Sequence, residues 1–151
     1  RANGPTLAAY TGNGELGKLW TPLDEAAIPG LVARGITVFV DVTADWCITC
    51  LVNKGLVVNT APLLEVFKSD TVVMMQGDWT QPDPVISDYL AHHQRYGIPF
   101  NAVYGPGAPQ GLVLPELLSR DAVLDAFRRA SKPVTTSNKK NQPSNRKETI
   151  Q

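Results

Sequence analysis

The amino-acid sequence predicts one α/β domain in which a mixed central β-sheet is flanked by helices on both faces. Two observations indicate a single domain: the chain has 151 residues, and 43% of them are hydrophobic while 19% are charged, as in one globular core. A third observation gives the class. Apolar β-branched runs alternate with segments of helical periodicity in the order β-α-β-α-β-β-α. A βαβ half followed by a ββα half forms a mixed sheet with helices on both sides.

The first half of the chain supplies two buried strands and their helices. A helix is predicted over residues 23–34, with Pro29 disturbing its middle and Gly35 as its stop. The run ITVFVDV at 36–42 is apolar on both faces, which is typical of a buried strand. The other elements of this half are a helix from about Cys47 to Val58, a helical pattern that restarts at Ala61-Pro62 and reaches Phe67, and a second buried strand, TVVMMQ, at 71–76.

The second half reads as a helix, a hairpin and a closing helix. Residues 84–95 place their apolar side chains on one helical face. FNAVY at 100–104 and GLVL at 111–114 flank the Gly/Pro-rich segment GPGAPQ, which predicts a hairpin with a turn there. The last helix is predicted over about 119–130, with Ser119 as its N-cap.

The two ends of the chain differ from this body in composition. Residues 1–19 are Gly-rich and weakly patterned, which predicts a lead-in segment before a domain at 20–130. Residues 131–151 hold five basic groups against one acidic group and have almost nothing to bury. Ordering such a segment would cost backbone entropy without compensation, so we interpret 131–151 as a flexible basic tail, a linker rather than a functional arm.

The charges and the hydropathy exclude two broad classes of protein. Fourteen Lys and Arg balance fourteen Asp and Glu, so no global positive field would recruit nucleic acid. No stretch has the roughly eighteen uninterrupted apolar residues that a membrane span needs. The sequence starts at Arg1 instead of a Met, so we expect a soluble domain excised or processed from a longer protein.

The two cysteines carry the chemistry. Cys47 and Cys50 form a C-x-x-C motif where the strand ending near Val42 leads into a helix. The first cysteine would lie at the helix N-terminus, where unpaired N–H groups and the macrodipole favour a thiolate nucleophile. Cys50, one turn later, could then resolve a mixed disulfide on Cys47. This redox interpretation is preferred over a structural staple, which would contribute only about 2 kcal/mol for so short a loop, over a metal site and over inert cysteines.

Four motifs give the sequence a family resemblance. They are VFVDVTADWCITC at 38–50, Gly77-Asp78-Trp79-Thr80 followed by Asp83-Pro84, Arg95-Tyr96-Gly97-Ile98-Pro99, and Leu114-Pro115-Glu116. In this order they resemble the thioredoxin superfamily, and within it the C-terminal domain of the DsbD-type transmembrane thiol:disulfide interchange proteins, including their ScsB-like branch. The resemblance covers about residues 20–130 and implies a thioredoxin fold.

The resemblance also implies roles for single residues. Cys47 would be the exposed nucleophile and Cys50 the buried resolving thiol. Asp41, six residues before Cys47, would be the buried acid that helps to remove the proton from the resolving cysteine. The sequence departs from the DsbD pattern at Lys54, where some of these domains carry an acid that assists Asp41, so a second carboxylate is not expected here.

A substrate groove is implied beside the two cysteines. Pro99 matches the cis-proline of the superfamily, which leaves the backbone of Ile98 free to pair with a substrate strand. Trp46 would be a flat apolar contact for the partner's chain. Two other features are interpreted as structural, since His92 and His93 fit solvent-exposed positions near a helix end and Trp79 fits packing at a strand end.

By resemblance, the expected function is protein-disulfide reduction. Electrons would enter at Cys47–Cys50 from a transmembrane electron-donor domain of the same parent protein and pass to periplasmic disulfide-containing proteins. We expect a periplasmic monomer with no cofactor beyond the redox-active disulfide and no bound metal. Two alternatives stay open: an oxidase or isomerase of the same fold, which differs in redox poise, and a copper- or zinc-binding module that uses the same thiolates.

Overall fold

The computed structural model describes residues 15–133, which form a five-stranded mixed β-sheet with helices on both faces. The strands are β1 (Trp20–Pro22), β2 (Thr37–Thr43), β3 (Val72–Asp78), β4 (Phe100–Gly105) and β5 (Ala108–Val113). Their spatial order is β1-β3-β2-β4-β5. The first three are parallel to one another, whereas β4 runs antiparallel to β2 and β5 antiparallel to β4. The predicted fold class is confirmed.

Five α-helices and three shorter helical turns connect and cover the strands. The α-helices are α1 (Ile28–Ala33), α2 (Ile48–Asn53), α3 (Ala61–Phe67), α4 (Pro84–His92) and α5 (Arg120–Ser131). The turns are 3-10 at Glu15–Lys18 and Glu25–Ala27, and π-helical at Lys54–Val58, directly after α2. Within the described residues, no single helix is long and apolar enough to cross a membrane, and Ile48–Val58 with Ala61–Phe67 meets that test only as a pair bent by 89°.

The sheet separates two apolar clusters. Because successive strand residues point to opposite faces, Phe39 of β2 joins one cluster with α3 and α5, whereas its neighbours Val38 and Val40 join the other with α1 and α4. Phe39, Phe67 and Phe127 lie within 5.9 Å of one another by ring centroids. Asp41 is two residues beyond Phe39 on β2, so it shares the face of the sheet that α3 and α5 cover.

The sequence analysis missed strand β1. Trp20–Pro22 pairs in parallel with β3, with Trp20 opposite Met74, and the Thr21 hydroxyl donates to the Met74 carbonyl at 2.8 Å. Three residues are too few to show the alternation of apolar and polar side chains that identifies a strand. These residues adopt the strand conformation because they pair with β3, and their own sequence pattern does not predict it. Leu19 packs against the core cluster as well. The residues before Glu15 and after Pro133, which hold most of the predicted lead-in and basic tail, lie outside the described residues.

Three element boundaries also differ from the predictions. The helix predicted over 23–34 divides into a 3-10 turn and α1, and Pro29 lies in the first turn of α1, where its missing N–H costs nothing. Helix α4 ends at His92 and not at residue 95. Strand β5 begins at Ala108, inside the segment predicted as a turn, so the hairpin turn is reduced to Pro106 and Gly107. The Ser119 N-cap is confirmed, because its hydroxyl accepts from the Ala122 N–H at 3.2 Å.

Candidate active site

The two cysteines form a disulfide at the start of α2. Cys47 is the N-cap residue, with an extended backbone, and its sulfur accepts a hydrogen bond from the Cys50 N–H at 3.3 Å. The Cα atoms are 5.3 Å apart in the disulfide. Two backbone hydrogen bonds fix the segment between β2 and α2. The Cys47 N–H donates to the Ala44 carbonyl, and the Trp79 N–H donates to the Thr43 carbonyl at the end of β2. The motif therefore occupies a fixed strand-to-helix junction.

The predicted contrast between an exposed and a buried sulfur is small in this oxidised state. Cys47 is 7% exposed and Cys50 is 2% exposed. Cys47 is thus not the exposed residue that the sequence analysis expected, because it packs with Ala44, Cys50 and Ile98 in a small cluster of its own. Of the two cysteine residues, Cys47 keeps the larger exposed fraction.

Asp41 lies inside the protein, on the middle strand of the sheet. It is 4% exposed, and its Oδ1 accepts from the side-chain amide of Asn101 on β4 at 2.9 Å. Its Oδ2 lies 3.5 Å from the Gln76 amide of β3 and 3.5 Å from the Lys54 ammonium. The carboxylate therefore receives donors from both neighbouring strands and from the helical segment above them, which satisfies a buried polar group as the interior requires.

The sequence analysis did not assign any of the three partners of Asp41 to the site. Asn101 and Gln76 interrupt the apolar runs FNAVY and TVVMMQ with a side-chain amide, and each lies opposite Asp41 in the sheet register. A polar residue within an otherwise apolar strand was the feature of the sequence that could have identified Asn101 and Gln76. The resemblance had already placed Lys54 where some DsbD-type domains carry an acid that assists Asp41, but the sequence could not show that this lysine is buried against the carboxylate.

An aromatic groove opens beside the disulfide. Its cavity measures about 510 Å³ and is lined by Trp46, Trp79, Thr80, Pro82, Ser87, Tyr96, Gly97 and Ile98. None of these side chains is charged. The Trp46 indole donates to the Thr80 carbonyl at 3.3 Å, which fixes one wall. Trp46 is 59% exposed and Tyr96 is 83% exposed, so large apolar surfaces face solvent next to a reactive disulfide, as in sites that bind other proteins.

Two of the three predicted substrate-binding residues line this groove, and the third lies next to Ile98 in the chain. Trp46 and Ile98 line it, and the Ile98–Pro99 peptide bond is cis. Pro99 itself lies at a neighbouring cavity with Arg95, Leu114 and Glu116. The sequence analysis did not assign Tyr96 or Pro82 to this surface, since side chains on two separate loops meet only in the fold.

The two adjacent histidines have different environments, and the interpretation of both as solvent-exposed is wrong for His93. His92 is exposed, and its Nδ1 lies 2.8 Å from a carboxylate oxygen of Glu25. His93 is half-buried, with Nε2 2.7 Å from the Tyr104 hydroxyl, which in turn lies 2.7 Å from the Tyr89 hydroxyl. Burial lowers the pKa of His93 below its ordinary value of 6.5, and it raises the pKa of Tyr104 to about 12.

Trp79 is the last of the residues that the sequence analysis singled out. Trp79 packs at the end of β3 against the cluster of α1 and α4, although it also lines the groove. Its indole N–H is buried without a hydrogen-bond partner. Across residues 15–133 no group of three or more His, Cys, Asp or Glu side chains is placed to hold a metal ion.

Comparison with known proteins agrees with this geometry. The family model described as Thioredoxin-like matches residues 20–106. No curated protein matches the sequence. Among solved structures, the reduced and oxidised C-terminal domains of DsbD from Neisseria meningitidis each have a TM-score of 0.55 at 20% identity over 70% of this chain, and cover 92% and 91% of their own chains.

A thioredoxin from Thermus thermophilus is similar to the same extent. It has a TM-score of 0.54 at 18% identity, over 72% of this chain and 83% of its own. At such identities these structures share the fold with this chain. The family model spans more than half of the 151 residues, and the sheet order and the C-x-x-C disulfide at the start of α2 agree with it, so this protein belongs to the thioredoxin-like family.

Proposed function

We propose that this protein is a protein-disulfide reductase, a thiol:disulfide oxidoreductase that donates electrons to the disulfides of other proteins. The observation that carries the proposal is the Cys47–Cys50 disulfide at the N-terminus of α2 in a thioredoxin-like fold. The class of thiol:disulfide oxidoreductases is supported by that observation alone. The direction of electron flow rests on the resemblance to DsbD-type domains.

The reaction follows from the two sulfurs and the groove. In the reduced protein, the Cys47 thiolate attacks one sulfur of a partner's disulfide, and the partner's other sulfur leaves as a thiolate that takes a proton from solvent. Cys50 then loses its proton, and its thiolate attacks the Cys47 sulfur. This second exchange forms the Cys47–Cys50 disulfide and releases the partner's remaining thiolate. Two electrons pass from the protein to the partner.

The environment of Cys47 favours the first attack. The Cys50 N–H already points at the Cys47 sulfur at 3.3 Å, and the same donor, with the N-terminal end of α2, would stabilise a thiolate there. The aromatic groove beside it supplies an uncharged surface for the partner's chain around its disulfide. Trp46 and Ile98 are the residues that we assign to this contact, with the Ile98 backbone next to Pro99.

The cellular setting is the more specific part of the proposal. Similarity to DsbD C-terminal domains supports a transmembrane electron-donor domain in the same parent protein and periplasmic disulfide-containing proteins as acceptors. The domain would then work in the periplasm, where it would receive electrons and pass them on. No cofactor besides the disulfide is needed for this exchange, because both half-reactions are thiol–disulfide exchanges.

A redox titration tests the direction. The protein is equilibrated with graded mixtures of reduced and oxidised glutathione, and the fraction of Cys47–Cys50 disulfide is measured by thiol alkylation and mass spectrometry. A midpoint near the thioredoxin value of about −270 mV supports a reductase, whereas one near the DsbA value of about −120 mV would contradict it and favour an oxidase. A titration of the reduced protein with Zn²⁺ and Cu⁺ is the control, since a tight 1:1 thiolate complex would favour the metal-binding alternative.

A further inference from the structure

One side chain of the C-x-x-C helix holds the segment that joins β5 to α5. Residues 114–118 form neither helix nor strand, so their backbone groups need other partners. Asn53, the last residue of α2, is 3% exposed. Its Nδ2 donates to the Glu116 carbonyl at 2.7 Å, and its Oδ1 accepts from the Leu118 N–H at 3.0 Å. Because a side-chain amide offers the same donor and acceptor as a peptide group, Asn53 takes the place of a neighbouring strand for this segment.

The same segment is fixed at its start and faces solvent in its middle. The Leu114 N–H donates to the Asn101 carbonyl on β4 at 2.9 Å. Leu114 and Leu118 are buried in the cluster of α3 and α5, whereas Glu116 between them is exposed. The segment is therefore a fixed loop that presents Glu116 outward, and Asn53 determines the position of the loop relative to α2.

This loop forms one wall of a second cavity, beside the cis peptide bond. The second cavity measures about 170 Å³, and its lining includes Arg95, Pro99, Leu114 and Glu116. It shares three lining residues with the aromatic groove, namely Tyr96, Gly97 and Ile98. The loop before Pro99 is therefore a ridge with a cavity on each side. The lining of the groove is uncharged, whereas the second cavity holds Arg95 and Glu116, and neither of these has an ion-pair partner among residues 15–133.

We propose that Asn53 is a positioning residue for partner recognition, which holds the Glu116 wall of the second cavity in place for a partner's chain that lies across the ridge. The inference rests on the proposed function and deepens it by describing the partner. A chain that pairs with the Ile98 backbone places the residues on the two sides of its cysteine in different cavities. The partner that fits is an extended segment with an apolar side chain on one side of its cysteine and a polar side chain on the other.

A cavity wall that is already in place favours binding. Ordering a loop during association costs conformational entropy, and Asn53 removes that cost in advance because both of its hydrogen bonds exist in the free protein. Asn53 is itself buried, so it acts through the loop and not by touching the partner. Its contribution should therefore depend on how much of the partner enters the second cavity and not on the chemistry of the cysteines.

The test compares disulfides that reach different cavities. The probe is a peptide whose central cysteine is disulfide-bonded to thionitrobenzoate and has the same apolar and polar residues on both sides. Two truncated peptides lack the residues before or after the cysteine, and the symmetric disulfide of thionitrobenzoate serves as the small disulfide. In the full-length reduced protein, the Cys47 thiolate attacks the peptide's sulfur and thionitrobenzoate leaves. Its absorbance gives the second-order rate constant of the first attack.

Asn53→Leu removes both hydrogen bonds with little change in side-chain size. The rate constant for the full peptide should fall about fivefold or more, the size expected when one or two neutral hydrogen bonds no longer hold the wall. With at least one truncated peptide, and with the small disulfide, the variant should react within about twofold of the wild-type protein, because nothing enters the second cavity. The glutathione midpoint of Cys47–Cys50 should not change.

Three further variants keep the test decisive, including the case in which Asn53→Leu does not fold. Asn53→Asp keeps the acceptor for the Leu118 N–H but loses the donor to the Glu116 carbonyl, so its loss should be smaller. Glu116→Ala keeps both main-chain bonds to Asn53 and removes only an exposed side chain from the cavity, and it should slow the same peptides as Asn53→Leu. Glu65→Ala removes an exposed glutamate of α3 outside both cavities and should change no rate.

Two results would overturn the inference. An equal loss for all four disulfides in Asn53→Leu would mean that Asn53 acts on the cysteines or on the fold as a whole. Unchanged rates for the full peptide in both Asn53→Leu and Glu116→Ala would mean that no partner residue uses the second cavity. Failure of the proposed function has a different signature, because the wild-type protein would then reduce none of the four disulfides or would have the glutathione midpoint of an oxidant.

Discussion

At the scale of single residues, Cys47 and Cys50 are distinguished by their places in α2. Cys47 is the N-cap and has the larger exposed fraction, while Cys50 lies inside the helix. We expect Cys50→Ser to trap a mixed disulfide with a protein substrate through Cys47, because the resolving thiol is absent. Cys47→Ser should trap none. Mass spectrometry of the alkylated, non-reduced adduct identifies the linked cysteine, and a linkage through residue 50 would reverse the assignment.

The ion pair of Asp41 and Lys54 also has a consequence for stability. Removing one partner of a buried pair leaves the other charge without compensation and typically costs about 3–5 kcal/mol. Asp41→Asn should therefore lower the free energy of unfolding by about that amount, while Asp41→Asn combined with Lys54→Met should recover most of it, since no buried charge remains. Urea unfolding of the oxidised proteins measures both values. Additive losses in the double variant would mean that the two charges do not interact.

At the scale of elements, the C-terminal end of α4 is joined to β4 by a chain of three side chains. Tyr89 is fully buried, and burial raises its pKa, so its hydroxyl keeps its proton and needs an acceptor. If it donates to the Tyr104 oxygen, the Tyr104 hydroxyl donates to Nε2 of His93, which must then be unprotonated. A proton on Nε2 would make that nitrogen a donor, so the Tyr104 hydroxyl could no longer donate to it.

The hydrogen bonds that join Tyr89, Tyr104 and His93 predict that the stability of the protein depends on pH. Burial lowers the pKa of His93 in the folded protein, an effect that Glu25 opposes and that His92 and Arg95 reinforce. The unfolded chain therefore takes up the proton first as the pH falls below about 6.5, so the free energy of unfolding should decrease from that pH downward, until folded His93 titrates too. His93→Gln should remove this component, whereas His92→Gln should leave it in place. Urea unfolding at several pH values provides the measurement.

The packing of α5 on the β4–β5 hairpin depends on a glycine. A Cβ added at Gly107 would collide with the carbonyl oxygens of Lys132 and Arg129, so Gly107→Ala should displace the end of α5 and destabilise the protein. Gly30→Ala is the matched control, since nothing lies within 4 Å of its Cβ and the position is helical. It should raise the free energy of unfolding by about 0.5–1 kcal/mol. Equal changes in the free energy of unfolding for the two substitutions would contradict the conclusion that α5 packs on the hairpin through Gly107.

The same elements show what the sequence could and could not predict. Strands β2 and β3 were predictable because their residues are apolar on both faces. Cys47 and Cys50 followed from their C-x-x-C spacing after β2, whereas Asp41 was assigned through the family resemblance. Strand β1 and the start of β5 were not, since their residues adopt a strand through pairing and packing with distant parts of the chain. The burial of Lys54 and the meeting of Trp46 with Tyr96 are likewise products of tertiary structure that no local pattern contains.

At the scale of the whole molecule, the β1-β3-β2-β4-β5 order places the site at one end of the central strands. Strand β2 lies in the middle of the sheet and leads directly into the C-x-x-C motif. Asn101 and Gln76 come from its two neighbours, so both strands beside β2 contribute to the environment of Asp41. Because β2 leads directly into the C-x-x-C motif, we expect the stability of the whole domain to depend on the redox state of the disulfide.

The direction of electron flow can therefore be measured as a difference in folding stability. For a reductase, the disulfide of the folded protein is harder to reduce than the same disulfide in the unfolded chain, so the oxidised protein must be the more stable form. The difference in unfolding free energy is about 1.4 kcal/mol for each 30 mV between the two potentials. We expect the oxidised protein to unfold at a higher urea concentration than the reduced protein. DsbA-type oxidants owe their high potential to a stabilised reduced form, so the opposite order of stability would contradict a reductase even if disulfide exchange itself were rapid.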